Sequence, residues 1–370
     1  MMKVLITGSE GFIAKNLLVR LSEEHISCDQ YSHGDSVESL KNKLKTVDFV
    51  IHLAGVNRPE KPEEFALGNA DLTKTLCDII VDENLRLPII YSSSIQALID
   101  NPYGRSKKSA EKHLENYSLA SSAPVYCFRL PNVFGKWSKP NYNSAVATFC
   151  YNTVHNLPIK VNDPDAMINL VYIDDVVEGF INLLRSQSSL TSFELSQVSP
   201  VYQITVGALK AQLEIFKNSR TTGIIESVGT DLTRALYSTY LSYLQPNDFH
   251  YPLVKHEDPR GVFVEMLKTK ASGQFSFFTA HPGITRGGHY HHSKNEKFLV
   301  IKGTARFRFR HIITNDFYEL CTSCEEPRVV ETVPGWSHDI TNTGDDDMIV
   351  MLWANEIFDP EKPDTINYKV

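Results

Sequence analysis

The chain has no apolar run approaching the roughly 18 residues that cross a bilayer, no cluster of lysine and arginine, and no cysteine framework. Each absence removes a class of function. Lys and Arg total 37 against 44 Asp and Glu, a formal charge of −7, so there is no broad basic surface for nucleic acid. The opening MMKVLITGSEG reaches glycine after too few apolar residues for a signal-peptide core, and a cytoplasmic protein without a membrane partner is expected. Six cysteines (Cys28, Cys77, Cys127, Cys150, Cys321 and Cys324) are scattered, as suits a reducing compartment. Cys321 and Cys324 form a lone C-x-x-C. A zinc ribbon needs a second such pair, so these read as two thiols on a loop or strand edge. At 370 residues, two domains are expected.

What is present begins at residue 2. MKVLITGSEGFIAKNLLVRL passes from a Val, Leu and Ile run through glycines into a helical pattern, which reads as strand, phosphate loop, helix. Gly8 and Gly11 allow a tight turn and the close approach of a pyrophosphate, whose charge would lie at the helix N-terminus. Ala14 stands where a third glycine is common, and is small enough for helix and strand to pack. DFVIHLAGVNRP (48–59) and PIIYSSSIQA (88–97) read as further buried strands ending in small or polar residues. In an open parallel sheet those ends form the binding edge. NPYGRSKKSAEKHL (101–114) then places Tyr103 and Lys107 four residues apart on one helix face, where a cation would lower the phenol pKa and make a proton donor usable near neutrality.

TGSEGFIA, HLAG, Asn69 with Thr73, YSSS, YGRSK, RLPNVFG (129–135) and VYIDDVVEG (171–179) occur in the order found in extended short-chain dehydrogenases/reductases, and residues 1 to about 245 resemble that family. The resemblance implies a Rossmann-type doubly wound α/β domain over 1–246. It implies Tyr103 as catalytic acid/base and Lys107 as holder of the nicotinamide ribose. Ser94, or its neighbour Ser93, would bond the reacting oxygen, and Asn132 would help hold substrate. Cofactor contacts would come from Gly8, Gly11, Phe12, Ile13, Leu53, Ala54, Gly55 and Lys107. Only nine positions separate Ser94 from Tyr103, so the loop between them is trimmed relative to the family. CDQYSHGDS (28–36) puts Ser32 and His33 where an NAD enzyme would place a carboxylate for the ribose 2′-hydroxyl, which favours NADPH. Asp35 matches an adenine-contacting aspartate, with a turn residue as the competing reading.

From Tyr251 the rhythm changes to short alternating runs broken by Gly, Pro, Asn and Asp, as in an all-β sandwich or barrel, so a second domain is expected over 251–370. In GITRGGHYHHSKNEKFLVIKG (283–303), Gly283, His289, His291, Glu296 and Gly303 fall at the spacing of a first cupin motif, and VPGWSHDITN (333–342) resembles the second. Strand periodicity puts His289 and His291 on one face and His292 on the other. His289, His291, Glu296 and His338 are the candidate ligands of a divalent metal, with zinc expected. Asp258, Arg260, Gly261 and Glu265 resemble the opening strand of deoxysugar epimerases that invert carbons beside a 4-keto group, and so mark Arg260 as a substrate contact.

Reductase followed by cupin resembles the bifunctional enzymes of capsular polysaccharide synthesis in the UDP-N-acetyl-L-fucosamine route. That likeness implies a UDP-sugar substrate, C3 epimerisation of a UDP-2-acetamido-2,6-dideoxy-4-hexulose in the cupin, and NADPH reduction at C4 to UDP-2-acetamido-2,6-dideoxy-L-talose. A homodimer is expected from both families. The competing expectation is a reductase alone, with a structural or dimerising cupin.

Overall fold

A computed structural model describes residues 2–186 and 192–370. They divide by contacts into Met1–Leu213 with Ala235–Leu244, and Glu214–Arg234 with Gln245–Val370.

In the first unit, strands β1 (Lys3–Thr7), β2 (Ser27–Tyr31), β3 (Phe49–His52), β4 (Ile89–Ser94) and β5 (Val125–Leu130) join Phe193–Ser196 in a six-stranded sheet ordered β2-β1-β3-β4-β5 and then Phe193–Ser196. Every pairing is parallel. Val4, Leu5, Ile6, Val50, Ile51, Ile89 and Ile90 are all fully buried, which is why these segments read as unbroken apolar runs rather than alternating ones. The chain leaves β1 for β2 on one side and returns to β3 on the other, so the sheet has its switch point at the end of β1. Helix α1 (Phe12–Glu23) starts there from Gly11, with no side-chain cap and no acidic residue in its first turn. Its free N–H groups are available to an anion.

The helix Pro102–Ser121 begins with Asn101 as N-cap, its side chain accepting Gly104 N–H at 2.7 Å, and Pro102 at the first position. The short loop before it closes as a 3₁₀ turn over Ile95–Leu98. That closure presses carbonyl oxygens onto the helix: a Cβ at residue 104 would lie 2.2 Å from Ile99 O and 2.3 Å from Gln96 O. The trimmed loop therefore requires glycine immediately after Tyr103.

The second unit contains two mainly antiparallel sheets. One runs Ile224–Ile225, Gly261–Thr269, Gly273–Ala280, Met348–Ala354, Glu296–Lys302, Val330–Glu331, with Lys255–Asp258 on Gly261–Thr269, and is antiparallel except where Ile224–Ile225 joins it parallel; the other runs Phe317–Ser323, Thr304–His311, Trp336–Asn342, Thr285–Tyr290, Ile366–Asn367. Along Thr304–His311, Ala305, Phe307 and Phe309 are buried while Arg306, Arg308 and Arg310 point away, the period of two that builds a sandwich core. Phe278, Phe298, Phe307 and Val350 come from both sheets into one apolar cluster. The expected α/β sheet and all-β cupin folds are both present.

Helix propensity alone would make Gly104→Ala stabilising by about 1 kcal/mol. Contact with two immovable carbonyls outweighs that gain, and the substitution is expected to lower the urea midpoint of the first unit, followed at Trp137. A raised midpoint would show that the loop yields.

Candidate functional site

At the end of β1, Gly8 has φ +71°, and a Cβ on it would stand 2.6 Å from Ala54 Cα and 2.7 Å from Ala54 N. The β1 and β3 loops thus touch backbone to backbone, a contact only glycine permits. A buried polar chain runs beneath it. The Ala54 N–H donates to Thr7 Oγ1 at 3.2 Å, Thr7 Oγ1 meets His52 Nδ1 at 2.6 Å, His52 Nε2 meets Thr73 Oγ1 at 2.9 Å, and Thr73 Oγ1 donates to the Asn69 carbonyl at 2.7 Å. Because Thr73 spends its proton on a carbonyl, it accepts from His52 Nε2–H, leaving Nδ1 to accept from Thr7. Burial, with the nearby Lys107 charge, pushes the His52 imidazole down to about 3.

Asn69 sits in a π-helical turn, Ala66–Asp71, a distortion common at functional sites. Its side chain accepts Val56 N–H at 3.0 Å, donates to Val56 O at 2.9 Å, and donates to Ser106 Oγ at 3.0 Å; Ser106 in turn donates to the Tyr103 carbonyl at 2.8 Å. The helix bearing Tyr103 is thereby tied to the β3 loop. His52 and Ser106 were not singled out in the sequence. The only signal was a lone histidine closing the apolar run FVIH.

A cavity of about 500 Å³ opens on these elements, lined by Gly8, Gly11, Phe12, Ile13, Leu53, Gly55, Ser94, Tyr103, Lys107 and Asn132. The sequence-predicted residues Ala54, Ser32, His33 and Asp35 are not in its wall. Ala54 packs under Gly8. Ser32 Oγ meets Ser9 Oγ at 2.5 Å, and the Asp35 carboxylate accepts Ser32 N–H at 3.0 Å, so Asp35 acts as a turn residue in this structure. His33 is exposed.

Of the two candidate serines, Ser93 is committed, donating to Glu111 Oε1 at 2.5 Å, while Arg129 grips both oxygens of the same carboxylate at 3.0 and 2.7 Å. Ser94, like Ser93, lines the cavity, and its hydroxyl bears on the Tyr103 phenol. Burial nevertheless pushes the Tyr103 phenol above its ordinary value, with the Ser94 bond drawing it part of the way back. The expected lowering by Lys107 is absent. Lys107 is itself buried, donates to Ser92 O at 2.9 Å, lies 4.9 Å from the centroid of the Tyr91 ring, and is pushed down to about 8 by burial. Phe65 packs on Tyr103 with ring centroids 5.5 Å apart.

In the second unit the ligand atoms of His289, His291, Glu296 and His338 all lie within 4.8 Å of one another. Glu296 Oε2 is 3.3 Å from His291 Nε2 and 3.5 Å from His338 Nε2. Those separations match the roughly 3.3–3.5 Å edge of a tetrahedron of N and O ligands at about 2.0–2.2 Å. His291 Nδ1 faces the Asp364 carbonyl, which only accepts, so its proton sits on Nδ1 and Nε2 turns inward. Burial, reinforced by His338 and His291, pushes His289 down to about 4. Burial would raise the Glu296 carboxyl, but the close approach of the His291 and His338 rings and the Lys294 charge outweigh it and keep it ionised. Four titratable groups this close are costly without a cation among them. His292 is exposed and packs on Tyr290 with centroids 5.5 Å apart, outside the cluster. Arg260 is held by Asp258 at 2.6 Å, and that pairing lowers the Asp258 carboxyl to about 2. Cys321 and Cys324 are exposed free thiols on and just beyond an edge strand.

With this geometry established, comparison with known proteins defines the class. The model of the NAD dependent epimerase/dehydratase family matches residues 4–196, and that of the polysaccharide biosynthesis C-terminal domain matches residues 256–366. The chain belongs to the first family, joined to the second domain. More particularly, it is a relative of CapF. The crystal structure of the capsular polysaccharide assembling protein CapF from Staphylococcus aureus matches with a TM-score of 0.91 and 41% identity, covering 100% of both chains. A UDP-2-acetamido-2,6-beta-L-arabino-hexul-4-ose reductase of Pseudomonas aeruginosa is 58% identical over 365 residues, 98% of each chain. A UDP-glucose 4-epimerase from Thermotoga maritima shares the fold of the first part, with a TM-score of 0.56 and 17% identity over 65% of this chain and 98% of its own. Among the described residues, no helix is long and apolar enough to cross a membrane.

His52 provides a pH test. The unfolded chain binds its proton near 6.5 and the folded chain only near 3, so this residue's stabilising contribution is lost as pH falls below about 6.5. The His52 ring resonances are expected not to titrate between pH 8 and 4 by NMR. A midpoint near 6.5 would contradict the closed relay.

Proposed function

We propose that the chain is a bifunctional nucleotide-sugar enzyme, with an NADPH-dependent reductase in residues 1–246 and a metal-dependent 3-epimerase in residues 251–370. The single observation that carries the reductase reading is Ser94 and Tyr103 paired on a cavity that begins at the Gly8 and Gly11 loop. The named activity of the 58% identical relative supplies the substrate class, a UDP-2-acetamido-2,6-dideoxy sugar with a ketone at C4.

A dinucleotide fits the first site, since the uncapped start of α1, with no acidic residue in its first turn, leaves backbone amides open to a pyrophosphate. The reduced nicotinamide would supply a hydride to C4. Ser94 would hold the ketone oxygen by hydrogen bond, and Tyr103 would deliver its proton to that oxygen as the hydroxyl forms, giving the 2-acetamido-2,6-dideoxy-L-talose product. A phenol raised by burial holds its proton until substrate arrives, which suits a donor. Lys107 would orient the ribose, and Asn132 would contact the sugar from the cavity wall. NADPH rather than NADH is supported by the carboxylates near the end of β2. Asp29 pairs with Lys3 at 2.8 Å and Asp35 accepts Ser32 N–H, and neither carboxylate is in the cavity wall.

His289, His291, Glu296 and His338 would hold the divalent ion, with zinc suited to their N₃O donor set. The ion would act as a Lewis acid, making the C3 proton beside the ketone more acidic. The protein groups hold the substrate at this centre, with Arg260 oriented by Asp258 as a candidate anion contact.

The test is proton NMR in deuterium oxide with the UDP-4-keto-6-deoxy-HexNAc. Without NADPH, loss of the C3 signal is expected from the wild type and from Tyr103→Phe, and is expected to stop after chelation. Tyr103→Phe should lower NADPH-dependent reduction by about 10²–10⁴-fold. NADPH should bind more tightly than NADH. Reduction without any C3 exchange would leave a single-activity reductase with a structural cupin; neither process would overturn both assignments.

A further inference from the structure

One short segment recurs around all four candidate ligands. Ile366–Asn367 pairs antiparallel with Thr285–Tyr290, setting Asn367 opposite His289. The Tyr368 N–H donates to Gly288 O at 2.9 Å. The Asp364 carbonyl accepts from His291 Nδ1. Ser337, the residue before His338, donates its hydroxyl to the Tyr368 carbonyl. The fourth ligand is reached through Lys294, whose N–H donates to the Asp364 carboxylate at 2.8 Å and whose ammonium lies 3.0 Å from Glu296 Oε1.

The Asp364 carboxylate does more than receive Lys294. It accepts three consecutive backbone N–H groups, of His292 at 2.9 Å, Ser293 at 2.7 Å and Lys294 at 2.8 Å, together with the Ser293 hydroxyl at 3.1 Å. These are three of the four residues that join His291 to Glu296. Successive N–H groups converging on one anion make a rigid concave turn. The turn's shape sets how far His291 Nε2 lies from Glu296 Oε2 and which carboxylate oxygen faces the histidines. Lys294 takes Oε1, and Oε2 is left to His291 and His338.

We propose that Asp364 is the positioning residue of the metal centre: its carboxylate fixes the 292–294 turn, and its carbonyl fixes the tautomer and ring direction of His291. This rests on the reading that the three histidines and Glu296 hold a divalent ion. Partners one step outside a metal's ligands commonly set affinity by 10–100-fold. Asp364 touches no ion itself, and it lies about 70 residues along the chain from the turn it clamps.

The test is zinc affinity of the full-length protein, by competition with a chromophoric chelator, and the visible spectrum of the cobalt(II) form. Asp364→Ala is expected to bind zinc about 10–100-fold more weakly and to alter the cobalt bands. Asp364→Asn, which keeps one acceptor oxygen, should fall between Asp364→Ala and the wild type. Asp347→Ala is the control: Asp347 pairs with His281 at 2.7 Å and belongs to no part of the cluster. It should leave both readouts unchanged. An unchanged near-ultraviolet circular dichroism spectrum, to which Trp336 and Trp353 of the second unit contribute, would show that the chains are folded. Equal zinc affinity and an unchanged cobalt spectrum in Asp364→Ala would overturn the positioning role, as would an equal loss in Asp347→Ala. Wild-type protein that takes up no zinc would remove the metal reading itself, and this proposal with it.

Discussion

The first unit is organised around one buried imidazole. His52 lies fully inside the protein, where an unsatisfied ring nitrogen would cost several times the net worth of a hydrogen bond. Both nitrogens are used, and the protons run in one direction: from Ala54 through Thr7 and His52 to Thr73 and the Asn69 carbonyl. That direction couples β1, β3 and the π-helical turn, and Asn69 extends the tie to the helix carrying Tyr103 and Lys107. The Gly8 loop and Tyr103 are therefore not separate motifs. A network of this kind holds when complete and fails when one partner is lost.

The candidate metal cluster in the second unit faces the same problem with charges. Glu296 is buried among three histidines and a lysine, and the Lys294 ammonium against Oε1 helps to keep a carboxylate ionised there while Oε2 faces the His291 and His338 rings. Ser94 ends β4, Tyr103 and Lys107 stand on the helix that follows, and His289 and His338 lie on strands. Some of these groups are oriented by neighbours that would not touch a substrate, as Lys107 is by Ser92 O and His291 by the Asp364 carbonyl.

Features set by short-range spacing were legible in the sequence. Gly8 with Gly11, Tyr103 with Lys107, and His289 with His291 each fall within one turn or one pair of strand residues, so local geometry brings them together; Glu296 was legible from motif spacing, although it opens a strand of the other sheet. The trimmed loop was visible as a count, but not its consequence, because the close approach of Ile99 and Gln96 carbonyls to Gly104 depends on how the loop folds back. Ser93 and Ser94 were indistinguishable until Glu111 and Arg129 were seen to claim the first. The direction of the Tyr103 shift was misjudged for a physical reason: spacing placed a cation nearby, but burial outweighs it, and burial is a property of the assembled cavity. Asp364 gave no signal, since nothing in a lone aspartate marks contacts some 70 residues upstream.

That separation also imposes an order in time. On the ribosome, the three histidines and Glu296 are all made before Asp364, and the residues that pair beside His289 come later still. A nascent chain thus carries the four candidate ligands before it carries the segment that pairs beside His289 and clamps the 292–294 turn. The cluster can take its folded shape only after residues 364–367 have been made.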